Sequence, residues 1–164
     1  MRVRRAQDED AGEILTVQRA AFVTEAQLND NAHLPPLTEQ LAEIVTAIRA
    51  DDVAVVVAEI EGERRRVVGA ARATSDPQTG LARIGRVAVA PDLQGSGIGT
   101  ALVAAAEAAA LAAAPALSGF QLFTGATSTS NIRWYERLGY VVDGTDLDHA
   151  GIAVVTMRKV VAAR

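Results

Sequence analysis

Arg86-Val87-Ala88-Val89-Ala90-Pro91-Asp92-Leu93-Gln94-Gly95-Ser96-Gly97-Ile98-Gly99-Thr100-Ala101-Leu102-Val103 decides how this chain folds. It reads as strand, glycine turn and helix. Val87 and Val89 alternate with Ala88 in a short apolar run that suits a buried strand. Pro91-Asp92 breaks the run. Gly95, Gly97 and Gly99 then open a helix that continues through Leu102 and Val103. Glycine lets the backbone approach a ligand closely, because no Cβ intervenes. The first N–H groups of a helix have no intrahelical partner and lie at the positive end of its dipole. Such a turn is built to hold an anion, a phosphate above all.

Three phosphate-binding patterns compete for this turn. A P-loop needs Lys-Ser or Lys-Thr directly after its last glycine. Here Thr100-Ala101 follows Gly99, and no lysine is near. A dinucleotide-binding turn needs G-x-G-x-x-G and an acid ending the next strand. Thr100 stands at the third glycine position, and the next apolar run, Phe120 to Thr124, leads into Gly125-Ala126. The third pattern fits. Gln94-x-x-Gly97-x-Gly99, preceded by Val-Ala-Val-Ala-Pro-Asp, resembles the Gln/Arg-x-x-Gly-x-Gly/Ala motif of the GNAT family of N-acetyltransferases. In that family the turn holds the pyrophosphate of acetyl-CoA.

Ser130-Asn131-Ile132-Arg133-Trp134-Tyr135-Glu136-Arg137-Leu138-Gly139-Tyr140 resembles the family's other signature. The residues support a helix independently. Ser128, Thr129 and Ser130 are suitable N-caps. Ile132, Trp134, Tyr135 and Leu138 give an apolar side. Gly139 suits a helix stop. The resemblance implies that Tyr135 points toward the thioester sulfur and protonates the leaving thiolate. Many members carry Asn seven residues before this tyrosine, where this chain has Ser128. Asn131 lies one turn before Tyr135, so either residue is a candidate cofactor contact.

Working outward, Val3-Arg4-Arg5 reads as a short strand. Asp8-Glu9-Asp10 starts a helix carried by Ile14, Leu15, Val17, Gln18, Ala21 and Phe22. Thr24 to Pro36 reads as a loop with room for a short helix. Thr38-Glu39 opens a second helix with Leu41, Ile44, Val45 and Ile48 on its apolar stripe. Val53 to Ile60, Val67 to Thr74 and Leu81 to Val89 form an antiparallel meander. An alanine-rich helix spans about Ile98 to Ala113 and stops before Pro115. The strand Phe120 to Thr124 implies a parallel pair with the strand before that helix. Tyr140 to Asp143 and Ile152 to Lys159 complete the sheet. The expected fold is therefore a GNAT-like mixed α/β sheet, mostly antiparallel. Its central parallel pair is splayed for CoA, and about four helices flank it. The expected organisation is one acetyltransferase domain over residues 1–164.

Composition narrows the alternatives. The net charge is −4, and there is no cysteine. A broad nucleic-acid face needs clustered Lys and Arg, so nucleic acid is disfavoured. Disulfides and thiolate chemistry are excluded. No uninterrupted apolar run reaches membrane-span length, and no targeting segment follows Met1-Arg2-Val3-Arg4-Arg5, so a cytoplasmic protein without a membrane partner is expected. The two histidines show no metal-ligand spacing, and no metal is expected. Arg64-Arg65-Arg66, beside Glu59, Glu61 and Glu63, reads as a solvated hairpin end. A homodimer is left open.

The resemblance implies acetyl transfer from acetyl-CoA to the amine of a small molecule or peptide. Its implied cofactor contacts are Val87, Ala88, Val89, Gln94, Gly95, Ser96, Gly97, Ile98, Gly99, Thr100, Asn131 and Tyr135. The pantetheine arm pairs with Val87 and Val89 as an added strand would. The Val89 N–H stabilises the thioester oxygen, and Tyr135 is the acid, making these two the catalytic candidates. Many relatives place a glutamate on the strand before the turn, but Leu81 to Val87 contains no acid. Glu25, Glu39, His33, His149 or a water chain remain as candidate bases. Glu25, Asp30, Glu39, Asp143, Asp146 and Asp148 make the acceptor loops acidic, which favours a cationic amine. A CoA-binding sensor without catalysis and a nucleotide-binding regulator are the competing functions.

Overall fold

Strand β2 (Val53–Ile60) is apolar except at Glu59 because both of its faces are covered. Val56 and Ala58 pack in one core with Leu102, Val103 and Ala106. Val55 and Val57 pack in another with Ala11, Ile14 and Ile44. This two-sided burial organises the computed structural model, which describes residues 1–148 and 151–161. Strands β1 (Arg2–Arg5), β2, β3 (Arg66–Asp76), β4 (Leu81–Val89), β5 (Gly119–Gly125), β6 (Val141–Leu147) and β7 (Ala153–Val160) form one sheet in the order β1-β2-β3-β4-β5-β7-β6. The helices are α1 (Ala11–Leu28), α2 (Pro35–Thr38), α3 (Leu41–Arg49), α4 (Ile98–Ala113) and α5 (Thr129–Arg137). This is the mixed, mostly antiparallel architecture expected, with α2 as the fifth helix.

The elements differ from expectation most in α1. It does not stop near Phe22 but runs to Leu28. Ala26 is buried one turn beyond Phe22, and that contact carries the helix through Thr24. Helix α3 starts after Gln40, where Gln40 and Glu43 form a reciprocal capping box. The triple-arginine hairpin end is solvated but tied back: Arg65 reaches Glu59 at 3.2 Å. Arg4 joins the same knot, bonding Glu59 at 2.8 Å and Asp10 at 2.7 Å. No described helix is long and apolar enough to cross a membrane.

The parallel pair positions the site. β4 and β5 pair only at Leu81–Arg83 against Gly119–Gln121. Beyond Arg83 the strands separate, although both continue. The register of β3 against β4 shifts between Ala70 and Arg72, which leaves one extra residue in β4. Arg86 sits in this bulge with φ +52. A bulge bends its strand and increases local twist, and so turns β4 away from β5. A non-glycine residue at positive φ costs of order 1–3 kcal/mol. The Arg86 Nε donates to the buried Glu39 carboxylate at 3.3 Å, which helps hold the bend.

Candidate active site

A cleft of about 690 Å³ opens where β4 and β5 part. Its lining comes from widely separated elements. Strand β4 contributes Arg83 to Val87, α5 contributes Asn131, Trp134 and Tyr135, and α1 with its C-cap contributes Phe22, Glu25 and Asn29. The residues from α1 recur at helical spacing on one face, a consequence of its extra turn. Asn131 lines the cleft, whereas Ser128 stays at the N-terminus of α5 and is not among the lining residues.

Tyr135 is buried against Trp134, with ring centroids 4.5 Å apart, and against Tyr140 at 5.8 Å. Burial, with the nearby Glu25 charge, pushes its phenol well above the usual tyrosine range. The phenol therefore keeps its proton at neutral pH. Glu25 has no hydrogen-bonded or ion-paired partner for its carboxylate among the described residues. Desolvation raises its pKa and makes it a stronger base than a solvated carboxylate.

The other candidate bases fare differently. Glu39 is buried and accepts from Gln18 at 2.8 Å, Arg72 at 2.8 Å and Arg86 at 3.3 Å. Desolvation pushes its carboxyl up, but these hydrogen bonds and the two guanidinium charges outweigh it and hold the pKa below normal. It is a structural anion and does not line the cleft, which corrects its candidacy as a base. His33 is exposed on its loop, and its backbone N–H bonds to the Asn31 side chain. His149 lies outside the described residues.

Beyond the cleft, β4 runs to the glycine turn. Ala90 N–H donates to the Val68 carbonyl at 2.8 Å. Backbone alternation then turns the N–H groups of Val87 and Val89 away from β3, toward the open edge. Ala88 faces the core and pairs with Ala70, so the structure does not bring it to that edge. Gln94 Nε2 bonds the Val89 carbonyl at 3.2 Å, and Ser96 Oγ bonds the Leu93 carbonyl at 2.6 Å. Gly97 caps α4 at φ +87, a conformation that glycine takes without strain. The Ile98 side chain is buried, so only its backbone is available at the turn. Gly95, Ser96, Gly97 and Thr100 are exposed around it. These outward N–H groups at a helix start suit a pyrophosphate.

Trp134 joins the two regions, a role that sequence reasoning assigned only to packing. Its indole lines the cleft, and its Nε1 donates to Thr100 Oγ1 at 3.3 Å. A Cβ on Gly99 would lie 3.1 Å from the same ring. Gly99 thus serves the contact between α4 and α5, while Gly97 serves the turn itself.

The charge of the cleft is also not what the loops suggested. Asp143 pairs with Arg158 at 2.8 Å. Asp146 and Asp148 do line the cleft, but so do Arg72, Arg83 and Arg86 from the sheet. The expectation of an acidic mouth counted loop residues alone.

The splayed parallel pair, the anion-ready turn and the buried tyrosine define an acetyltransferase of the GNAT class. The acetyltransferase (GNAT) family model matches residues 18–140, and the chain belongs to that family, which uses acetyl-CoA. The fold is similar to yncA from Salmonella typhimurium with its cofactor acetyl-CoA, at TM-score 0.78 and 18% identity over 100% of this chain and 95% of that one. It is similar to a GNAT-family acetyltransferase from Streptococcus pneumoniae, at TM-score 0.76 and 17% identity over 98% and 99%. Ribosomal-protein-alanine N-acetyltransferase from Brucella melitensis matches at TM-score 0.76 and 23% identity over 98% and 100%. No curated protein sequence matches significantly.

Proposed function

We propose that this acetyltransferase is an N-acetyltransferase in which an amine attacks the acetyl group directly, without an acyl-enzyme. The observation that carries this reading is the meeting of Tyr135, Glu25 and the open edge of β4 in one cleft. The chain has no cysteine to form a thioester intermediate. The structural neighbour from Brucella melitensis is named for an amine acceptor, which supports the same class of chemistry.

The residues present fit acetyl-CoA. The N–H groups around Gly95 to Thr100 would hold its pyrophosphate, and Val87 and Val89 would pair with its pantetheine arm. Bound there, acetyl-CoA supplies an activated acetyl thioester. Glu25 takes the proton that the incoming amine must lose. The Val89 N–H donates to the carbonyl oxygen as negative charge gathers there. Tyr135 gives its proton to the departing sulfur. The same burial that keeps the phenol protonated makes its anion strongly basic, so Tyr135 recovers a proton readily. Asn131 and Trp134 shape the wall beside Tyr135.

The test follows free thiol release from acetyl-CoA over a panel of amines. Amine-dependent release that falls sharply in Tyr135→Phe supports the reading. Tight CoA binding with no amine-dependent release would instead make the chain a CoA-binding sensor.

A further inference from the structure

The floor of the cleft carries more positive charge than the protein itself neutralises. Arg72 and Arg86 share the single carboxylate of Glu39. The Arg72 Nε is buried and meets no acceptor. Arg83 donates no hydrogen bond and forms no ion pair among the described residues, although Asp76 lies within electrostatic reach. It stands at the junction of the main cleft with a hollow of about 260 Å³, lined by Thr74, Asp76, Thr79 and Gln121 among others. Arg83 and Thr74 are cross-strand partners, as are Arg72 and Gly85, so these residues share one face of the sheet.

The lining contributed by α1 and the β6 end has the other sign. Glu25 comes from α1, and Asp146 and Asp148 come from the end of β6 and the residue after it. Phe22, Leu34, Pro36 and Phe123 add apolar lining. Gly85 widens this floor: a Cβ there would meet no atom within 4 Å.

CoA does not account for the arginines. Arg83 precedes Val89 by six residues, about 20 Å of strand at about 3.3 Å per residue. The phosphate-ready turn lies beyond Val89, on the far side of the bulge. Arg83 is exposed and is therefore open to a second anion at the acceptor end.

We propose that the acceptor is an amine bearing a carboxylate, an amino acid or a related amino-carboxylate with an apolar body. Its carboxylate meets the Arg83 guanidinium, and its amine faces Glu25. A guanidinium presents two parallel N–H groups to a carboxylate, which fixes orientation as well as position. Arg72 and Arg86, which share Glu39, add positive field to the site. The apolar lining takes the side chain of an α-amino acid, or the methylene chain between the two charged ends of a longer amino-carboxylate. This proposal rests on the N-acetyltransferase reading and names its substrate class.

The experiment compares matched acceptors by thiol release from acetyl-CoA. Leucine, methionine and phenylalanine are each paired with the corresponding amide. 6-Aminohexanoate is paired with 1,6-diaminohexane, which tests a longer body and a cationic end. In at least one pair the carboxylate member should have kcat/KM higher by about tenfold or more, the scale of a charge-assisted hydrogen bond. Arg83→Gln should shrink that gap to about threefold or less, and Arg83→Lys should restore part of it. Amides or the diamine equalling or exceeding their carboxylate partners in every pair would overturn the proposal and leave the N-acetyltransferase reading standing. If no amine turns over, that reading fails, and equilibrium binding to the CoA-bound protein decides the proposal. Carboxylate-dependent binding that Arg83→Gln removes supports it; equal or absent binding within every pair overturns it.

Discussion

The glycine turn beyond β4 and the bulge within β4 are built by different means. Beyond the C-terminal end of β4, Gln94 to Thr100 bring together neighbours in sequence, mostly exposed apart from the Ile98 side chain and the Gly99 contact with Trp134. At the bulge, the cleft draws side chains from α1, β3, β4, β5, α5, β6 and β7. The first region offers backbone geometry, so glycine matters and side chains are few. The second offers side-chain chemistry, so burial and charge pairing matter. Trp134 is the hinge between them, touching Gly99 and Thr100 on one side and lining the cleft on the other.

The sharpest way to break this contrast is a paired glycine exchange. Gly97→Val forces a β-branched residue to φ +87 and re-aims the N–H groups of the turn. CoA affinity should fall by about 100-fold or more, the sum of strain of order 1–3 kcal/mol and lost N–H contacts. Gly85→Leu has room for its side chain in the cleft and should leave CoA affinity within about twofold while raising KM for the acceptor. Calorimetric titration of both variants, with circular dichroism to verify folding, makes the comparison. Equal losses of CoA affinity would merge the two regions into one.

Next in size is Tyr135→Phe. It removes a proton donor but keeps the ring on Trp134 and Tyr140. We expect kcat to fall by about 100-fold, within the usual range for general acid catalysis, with CoA affinity nearly unchanged. Steady-state kinetics beside a CoA titration would show the split; matching losses in both would reassign Tyr135 to packing.

Glu39 tests what holds the cleft rather than what reacts in it. Glu39→Gln leaves Arg72 and Arg86 without their shared anion and should cost about 2 kcal/mol of stability at pH 7 by urea unfolding. The folded-state pKa of Glu39 is depressed. Its stabilisation is thus present above the unfolded carboxyl pKa and lost as pH falls through the folded value. The gap between wild type and variant should therefore close in acid.

The smallest effect has the opposite sign. The folded-state pKa of Glu25 is raised. The folded state binds its proton more tightly than the unfolded one, so stability declines as pH rises through that raised value. Glu25→Gln should raise Tm slightly at pH 8 and less at pH 4. The same change should remove the acid limb of the kcat/KM profile and lower the plateau. A lower Tm at pH 8 would contradict the raised pKa, and an unchanged pH profile would exclude Glu25 as the base.

The contrast also explains what could be read before the structure. The glycine turn was legible because its determinants are contiguous: a strand break at Pro91, an N-cap glycine and a helix of good formers. Tyr135 was legible through the Trp-Tyr-Glu-Arg-Leu-Gly-Tyr block. Glu25 was named only as one of several acids, because Thr24 to Pro36 looked polar and irregular. Ala26 burial extends α1 through it, and that contact is tertiary. Glu39 misled for the same reason: its two arginine partners lie 33 and 47 residues away. The bulge had a local sign in Gly85, since an isolated glycine inside a strand marks such irregularities. Nothing nearby announced that Arg86 would take positive φ.

The central claim is that one acetyl-CoA molecule joins the glycine turn to the cleft, with its phosphates at Gly95 to Thr100 and its thioester beside Tyr135. Amide chemical shifts and hydrogen exchange, recorded with and without CoA, test this directly. The account predicts perturbation and protection at Gly95 to Thr100 together with Val87 and Val89, and a shift in the Tyr135 ring, while β1 and β2 stay unchanged. Perturbation confined to the turn, with Val87, Val89 and Tyr135 unaffected at saturating CoA, would contradict it.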